Sequence, residues 1–118
     1  MFPSLIARAG LIGGTVLMVS LGSAPAGQDA DAVKKGQEVY QAQKCSMCHA
    51  IAGKGNKQNP LDGIGTKLSA EDIRHWIVDP AAMTAKSQST KKPPMPKKWS
   101  SLPAADLDAL VAYLQSLK

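Results

Sequence analysis

Cys45-Ser46-Met47-Cys48-His49 decides the reading of this 118-residue chain, because it gathers the only two cysteines and one of the two histidines into one short run. Two thiols separated by two residues can each add across one vinyl group of the same porphyrin. A histidine immediately after the second can reach the iron from that side, which is the pattern of covalent haem attachment. The alternatives need residues or settings that the chain does not offer. A zinc site wants four ligands, and beyond this motif only His75 is a common one. A thioredoxin-like redox pair needs a strand-helix-strand setting, and a bare pair in an oxidising compartment would close as a disulfide. One covalently bound haem c is therefore the expected cofactor, carried by Cys45 and Cys48 with His49 as an iron ligand.

Working outward, the N-terminal side reads as an export signal. Met1 to Arg8 carries a single charge, an apolar run follows from Ala9 to Leu21, and then come the small residues Gly22, Ser23, Ala24, Pro25 and Ala26. Ala24 and Ala26 suit the third and first positions before a signal-peptidase cut, which places cleavage between Ala26 and Gly27. An uncleaved anchor is the alternative, but the apolar run is shorter than the roughly 20 residues that span a bilayer. Gly13 and Gly14 also interrupt it. Cleavage removes Arg8 and no acid, so the formal net charge goes from +5 to +4. The expected organisation is a signal peptide over 1–26, a flexible lead-in over 27–30 and one domain over 31–118. That domain is expected in the periplasm, with no stable membrane insertion after cleavage.

Three amphipathic helices are expected in the domain. Asp31 can cap a helix from Ala32 to about Lys44, with Val33, Gly36 and Tyr40 on one face. Ser69 and Asp72 resemble a capping box opening a second helix, whose apolar stripe is Ile73, Trp76 and Ile77. Pro80 stops that helix by pushing Asp79 out of helical geometry. The last helix runs from about Pro103 to Leu117 with Ser101 as its cap, burying Leu107, Leu110, Val111 and Leu114. No alternating strand stands out between them. Short helices joined by long loops, with few aromatics, cannot fill a core alone. Something besides side chains has to fill it.

From about Asp31 to Lys118 the chain resembles a bacterial class I c-type cytochrome, in the Cys45-to-His49 motif and in several residues around it. The resemblance implies an all-α cytochrome c fold of three to four helices wrapped around the haem. In that family the first helix crosses the last through a glycine and an aromatic four residues later, a place that Gly36 and Tyr40 fill against Leu110, Tyr113 and Leu114. Pro60 and Leu61 resemble the family's proline and leucine, which implies that the Pro60 carbonyl accepts the ring proton of His49 and fixes its tautomer. Gly63 and Gly65 read as loop turns. Trp76 either donates its ring N–H to a haem propionate or is a core tryptophan without that contact.

The second iron ligand is expected to be Met95. It lies in a loop long enough to pass over a haem edge and is stiffened by Pro93, Pro94 and Pro96. The Met95-Pro96 pair ahead of the last helix also resembles how related cytochromes present this ligand. Met47 and Met83 read as packing residues, and His75, across from its helix's apolar stripe, as a surface side chain. An iron held by histidine and methionine has no vacancy for substrate, so a single-electron carrier is expected and not an enzyme. No nucleophile with a base, carboxylate pair or nucleotide loop stands out. The alternatives are a haem-bearing subunit of a larger oxidase, dehydrogenase or photosynthetic complex, and a haem sensor with an open sixth position. Lys86, Lys91, Lys92, Lys97 and Lys98 cluster around the segment expected to cover the haem. They predict a redox partner with an acidic docking face, the other reading being a merely solvated basic loop. No nucleic-acid partner is expected, and the protein is expected as a monomer or as a component of a complex.

Overall fold

A computed structural model describes residues 29–118, and the leader with its cleavage site lies outside them. The elements run α1 (Ala30–Ala42), a single 3-10 turn (Cys45–Met47), β1 (Ala50–Ile51), β2 (Lys54–Gly55), α2 (Ile64–Lys67), α3 (Ala70–Val78), α4 (Pro80–Ser87) and α5 (Ala104–Gln115). The architecture is all-α apart from the small hairpin, as the sequence implies, with two short helices beyond the three read from periodicity. The hairpin pairs Ala50 with Gly55 around a turn in which Ala52 and Gly53 both have positive φ. Strands of two residues are too short to show alternation, which is why no pattern announced them.

Two helix caps differ from expectation. Asp29, not Asp31, caps α1: its Oδ1 accepts the Asp31 N–H at 3.1 Å, which leaves Asp31 in the first turn beside the positive helix end. Ser101 does not cap α5, because the helix starts after Pro103, too far along for the Ser101 side chain to reach its first N–H groups. Pro103, with φ near −52°, leads into the helix and its carbonyl accepts the first bond, from the Leu107 N–H at 3.0 Å. The α3 cap is as read, with Ser69 Oγ accepting the Asp72 N–H at 3.1 Å. Pro80 does more than stop α3. It is also the first residue of α4, where its missing N–H costs nothing, and Asp79 caps the new helix through the Ala82 N–H.

The core lies where α1, α3 and α5 meet and comprises Val39, Tyr40, Ile73, Ile77, Leu110, Val111 and Leu114. Helices α1 and α5 form the most extensive pairing, and Gly36 lets them approach. A methyl group at position 36 would stand 2.0 Å from the Ala109 carbonyl oxygen and 2.5 Å from Tyr113 Cβ, so any larger residue there forces the helices apart. The Tyr40 and Tyr113 rings meet edge to face beside this crossing, their centroids 5.8 Å apart.

Gly63, with φ of 72°, is the turn residue expected, but Gly65 is not. It sits buried inside α2, where a Cβ would lie 2.0 Å from the Gln115 carbonyl oxygen. Its N–H donates to the Leu117 carbonyl at 2.8 Å, and its own carbonyl accepts from Gln115 Nε2 and Lys118 Nζ. Gly65 is therefore the point at which α2 is stitched to the end of α5. Among the described residues no helix is long and apolar enough to cross a membrane.

Candidate cofactor site

The three core helices do not close on one another completely. Between them and the loops lies a cavity of about 520 Å³, walled on the inside by the core residues Tyr40, Ile73, Ile77, Leu110 and Leu114. Most of that wall is apolar, and apolar surface left open to water forfeits roughly 25 cal/mol per Å² of burial. The whole stability of a domain is only about 5–15 kcal/mol. An occupant would cover this wall, and the lining says what kind.

Cys45, Cys48, His49, Pro60, Trp76 and Met95, the residues expected at the haem, all contribute to this one lining. The attachment segment is presented by its surroundings. Lys44, in a left-handed conformation with φ of 56°, turns the chain out of α1 and into the 3-10 turn. The Cys48 and His49 N–H groups both donate to the Cys45 carbonyl, at 3.1 and 3.0 Å. From outside, the Asn56 N–H reaches both the Ser46 and the His49 carbonyls at 3.0 Å. That approach depends on Gly55, whose φ is 107° and where a Cβ would stand 2.2 Å from the His49 carbonyl oxygen. Nothing in the spacing of Gly55 and Asn56 singled them out, since the loop reads only as rich in such residues.

His49 Nδ1 lies 3.2 Å from the Asn59 carbonyl oxygen. A carbonyl can only accept, so the ring proton sits on Nδ1, and Nε2 keeps the lone pair that can bind a metal. Burial lowers the pKa of this imidazole, with the Asn59 carbonyl acting the other way, so the neutral form is favoured. The acceptor is not Pro60, which corrects the expectation by one residue. The reason is the parallel bridge between Ala50 and Pro60, in which the Ala50 N–H bonds the Asn59 carbonyl at 3.2 Å and the Leu61 N–H bonds the Ala50 carbonyl at 2.8 Å. This register aims the Asn59 oxygen at the strand and the ring, and leaves Pro60 to line the cavity. Burial also pushes the Cys45 thiol up to about 11, so it is a neutral thiol at ordinary pH.

The methionines separate clearly. Met95 lines the cavity, whereas Met83 is buried in α4 at 7% exposure and does not. Met47, read as a packing residue, is 71% exposed. Its neighbours Cys45 and Cys48 both turn to the cavity, so the third position of the turn is left facing water. The Met95 loop is held across to the histidine side, for Lys91 Nζ donates to the Gln58 carbonyl at 3.1 Å. His75 is exposed, as expected, and takes no part in the lining. Among the described residues no group of three or more His, Cys, Asp or Glu could hold a metal ion, so the zinc alternative finds no support.

Two aromatic groups complete the wall. The Trp99 indole N–H is spent on Gln43 Oε1 at 3.1 Å, while that of Trp76 has no protein acceptor among the described residues. Trp76 is thus the indole able to meet a polar group of an occupant. Tyr40 lines the cavity, and its hydroxyl is buried without a hydrogen-bond partner. Burial first, and then the negative charge that Cys45, Tyr113 and Asp62 can carry, pushes it up to about 12. The sequence showed Tyr40 only as a packing aromatic. An apolar chamber with two thiols and an imidazole on one stretch of wall, a thioether sulfur on another and few polar atoms facing in fits a porphyrin in size and chemistry.

A family model described as Cytochrome c matches residues 33–118. The chain is also 29% identical over 93 residues to a protein described as cytochrome c oxidase subunit 2 from Alkalihalophilus pseudofirmus, a match that covers 71% of this chain. The aligned region spans 25% of that relative's own length. No solved structure is a significant match.

Proposed function

The chain belongs to the cytochrome c family, and from that premise we propose that it is an exported carrier of single electrons holding one haem through thioethers at Cys45 and Cys48, its iron between His49 and Met95. The observation that carries this reading is that, of the described histidines and methionines, His49 and Met95 alone line the same cavity as the two thiols. When bound, the haem supplies an iron that changes oxidation state by one electron. The chain does the rest. The Asn59 carbonyl orients His49 and fixes its tautomer, burial keeps the ring neutral, Lys91 and the prolines hold the Met95 loop, and the apolar helix faces exclude water. Were His49 and Met95 both to bind the iron, no position would be left for a substrate, so no enzymatic step is assigned. The leader over 1–26 supports export to the periplasm.

Carbon monoxide is the test that separates a carrier from a sensor. The reduced protein should show the same visible spectrum with and without the gas, whereas an open sixth position would bind it and shift the spectrum. The similarity to an oxidase subunit favours a second reading, in which the domain relays electrons within a complex. Purification of the native protein with stoichiometric partners would support that one.

Charge placement supports an acidic partner. Lys35 and Arg74 are engaged by Asp106 and Asp108, pairs that link α5 to α1 and to α3. Lys44, Lys67 and Lys91 line the cavity and Lys98 lies over the Trp99 ring, and among the described residues none of these has a carboxylate partner. Lys86, Lys92 and Lys97 are exposed on the same stretch of chain. Electron exchange with an acidic partner should slow by about tenfold or more as salt rises from about 0.01 M to about 1 M, since the Debye length shrinks from about 30 Å to about 3 Å. A rate indifferent to salt would place docking on another face.

A further inference from the structure

We propose that Met47 is the apolar centre of the surface through which this protein meets its electron-transfer partner, a protein presenting a small apolar recess inside an acidic rim. The inference rests on the reading that Cys45 and Cys48 carry the haem. Met47 is the large hydrophobic side chain that stands most in water among the described residues, at 71% exposure. Its position follows from the turn that holds it. Cys45 and Cys48 line the cavity, Ser46 is exposed beside the hairpin at Gly55, and Met47 is the apolar residue of the turn that stands in water.

It is also held still. The Met47 N–H donates to the Lys44 carbonyl at 3.1 Å, and its own carbonyl accepts from Asn56 Nδ2 at 3.4 Å. A fixed backbone under an exposed, unbranched side chain loses little entropy on docking, and a thioether adapts to an irregular recess. Its sequence neighbour is Cys48, so a partner seated on Met47 would come within a residue's length of the thioether proposed there.

The rim around it is cationic. Lys44 directly precedes the turn, Lys54 and Lys57 flank the Gly55-Asn56 segment bonded to it, and Lys98 lies close enough for its charge to act on Cys45. None of the four has a carboxylate partner among the described residues. An apolar centre inside a charged rim is how docking surfaces are commonly built, the centre supplying affinity and the rim steering. The sign of the rim selects an acidic protein.

The test uses the full holoprotein with washed membranes of the producing organism as the redox partner, comparing wild type, Met47→Ser and Met47→Leu. Met47→Ser should raise the KM for membrane-linked oxidation or reduction about tenfold with kcat little changed, and Met47→Leu should restore most of the loss. Reduction potential and the rate of reduction by ascorbate, which needs no docking surface, should be the same in all three. An unchanged KM in Met47→Ser overturns the inference and leaves the carrier reading intact, as does a shifted potential, which would make Met47 a structural residue. If the serine variant instead loses binding to phosphatidylglycerol vesicles while its KM with detergent-solubilised membranes stays at the wild-type value, the surface is a lipid contact and the inference fails. If the membranes exchange no electrons with wild-type protein, the carrier reading itself fails.

Discussion

A chain carrying both Cys45→Ala and Cys48→Ala is expected to lose its haem completely into acidified acetone, while the wild-type chain keeps all of its colour, because thioether bonds survive that treatment. The same double variant should fail to accumulate as stable holoprotein. Each thioether ties the occupant to a turn that the Asn56 N–H and the Lys44 conformation already present to the cavity. Without either bond the occupant is held by contact and by His49 and Met95 alone. Its loss leaves the apolar lining of the cavity open to water, at roughly 25 cal/mol per Å² of apolar surface. A domain is stable by only about 5–15 kcal/mol, so far-ultraviolet circular dichroism of the haem-free chain should show helix signal lost and a lower unfolding midpoint. Each single variant keeps one thioether and should fall between the two extremes in yield. Wild-type colour that extracts fully would mean the attachment is not covalent, and a haem-free chain that keeps its helices and its unfolding midpoint would mean the fold does not depend on the occupant.

Much of this was legible because it depends on short-range chemistry. The Ser69 cap, the break at Pro80 and the haem motif are each fixed by residues within a turn of one another, and the structure has the first two where the sequence puts them. What was not legible depends on which of two near-equivalent groups wins a contact set elsewhere in the fold. Asn59 rather than Pro60 faces His49 because of the register of one bridge to Ala50. Asp29 rather than Asp31 caps α1, although either side chain could serve. Gly65 looked like a turn because its true constraint, the approach of the Gln115 carbonyl, comes from the far end of the chain. Met47 looked like packing because hydrophobicity alone does not say that both flanking cysteines turn the other way. The unpartnered Tyr40 hydroxyl had no sequence signal, since its isolation depends on what the rest of the fold packs around it and not on its helix face.

Met95→Ala should abolish the iron–sulfur charge-transfer band of the oxidised protein, lower the reduction potential and let carbon monoxide bind the reduced form. Met83→Ala should do none of these and should instead lower stability. The contrast follows from where the two sulfurs sit. Met95 is half-buried in the cavity lining, between Pro94 and Pro96, on a loop that Lys91 ties to the Gln58 carbonyl. Fixed proline angles and that tether keep the sulfur in place at small entropic cost, as an axial ligand requires. Met83 is 7% exposed on α4 and faces packing, so truncating it creates a cavity worth about 2–5 kcal/mol in thermal or denaturant unfolding. Axial ligands set haem potentials over a range of roughly 0.8 V, and exchanging thioether sulfur for water or an empty position should lower the potential by on the order of 0.1 V or more. The two variants thus move different instruments: Met95→Ala the spectrum, the potential and gas binding, Met83→Ala the unfolding midpoint. Should Met83→Ala lose the band while Met95→Ala keeps it, the ligand assignment is wrong, and attachment through Cys45 and Cys48 still stands on its own test.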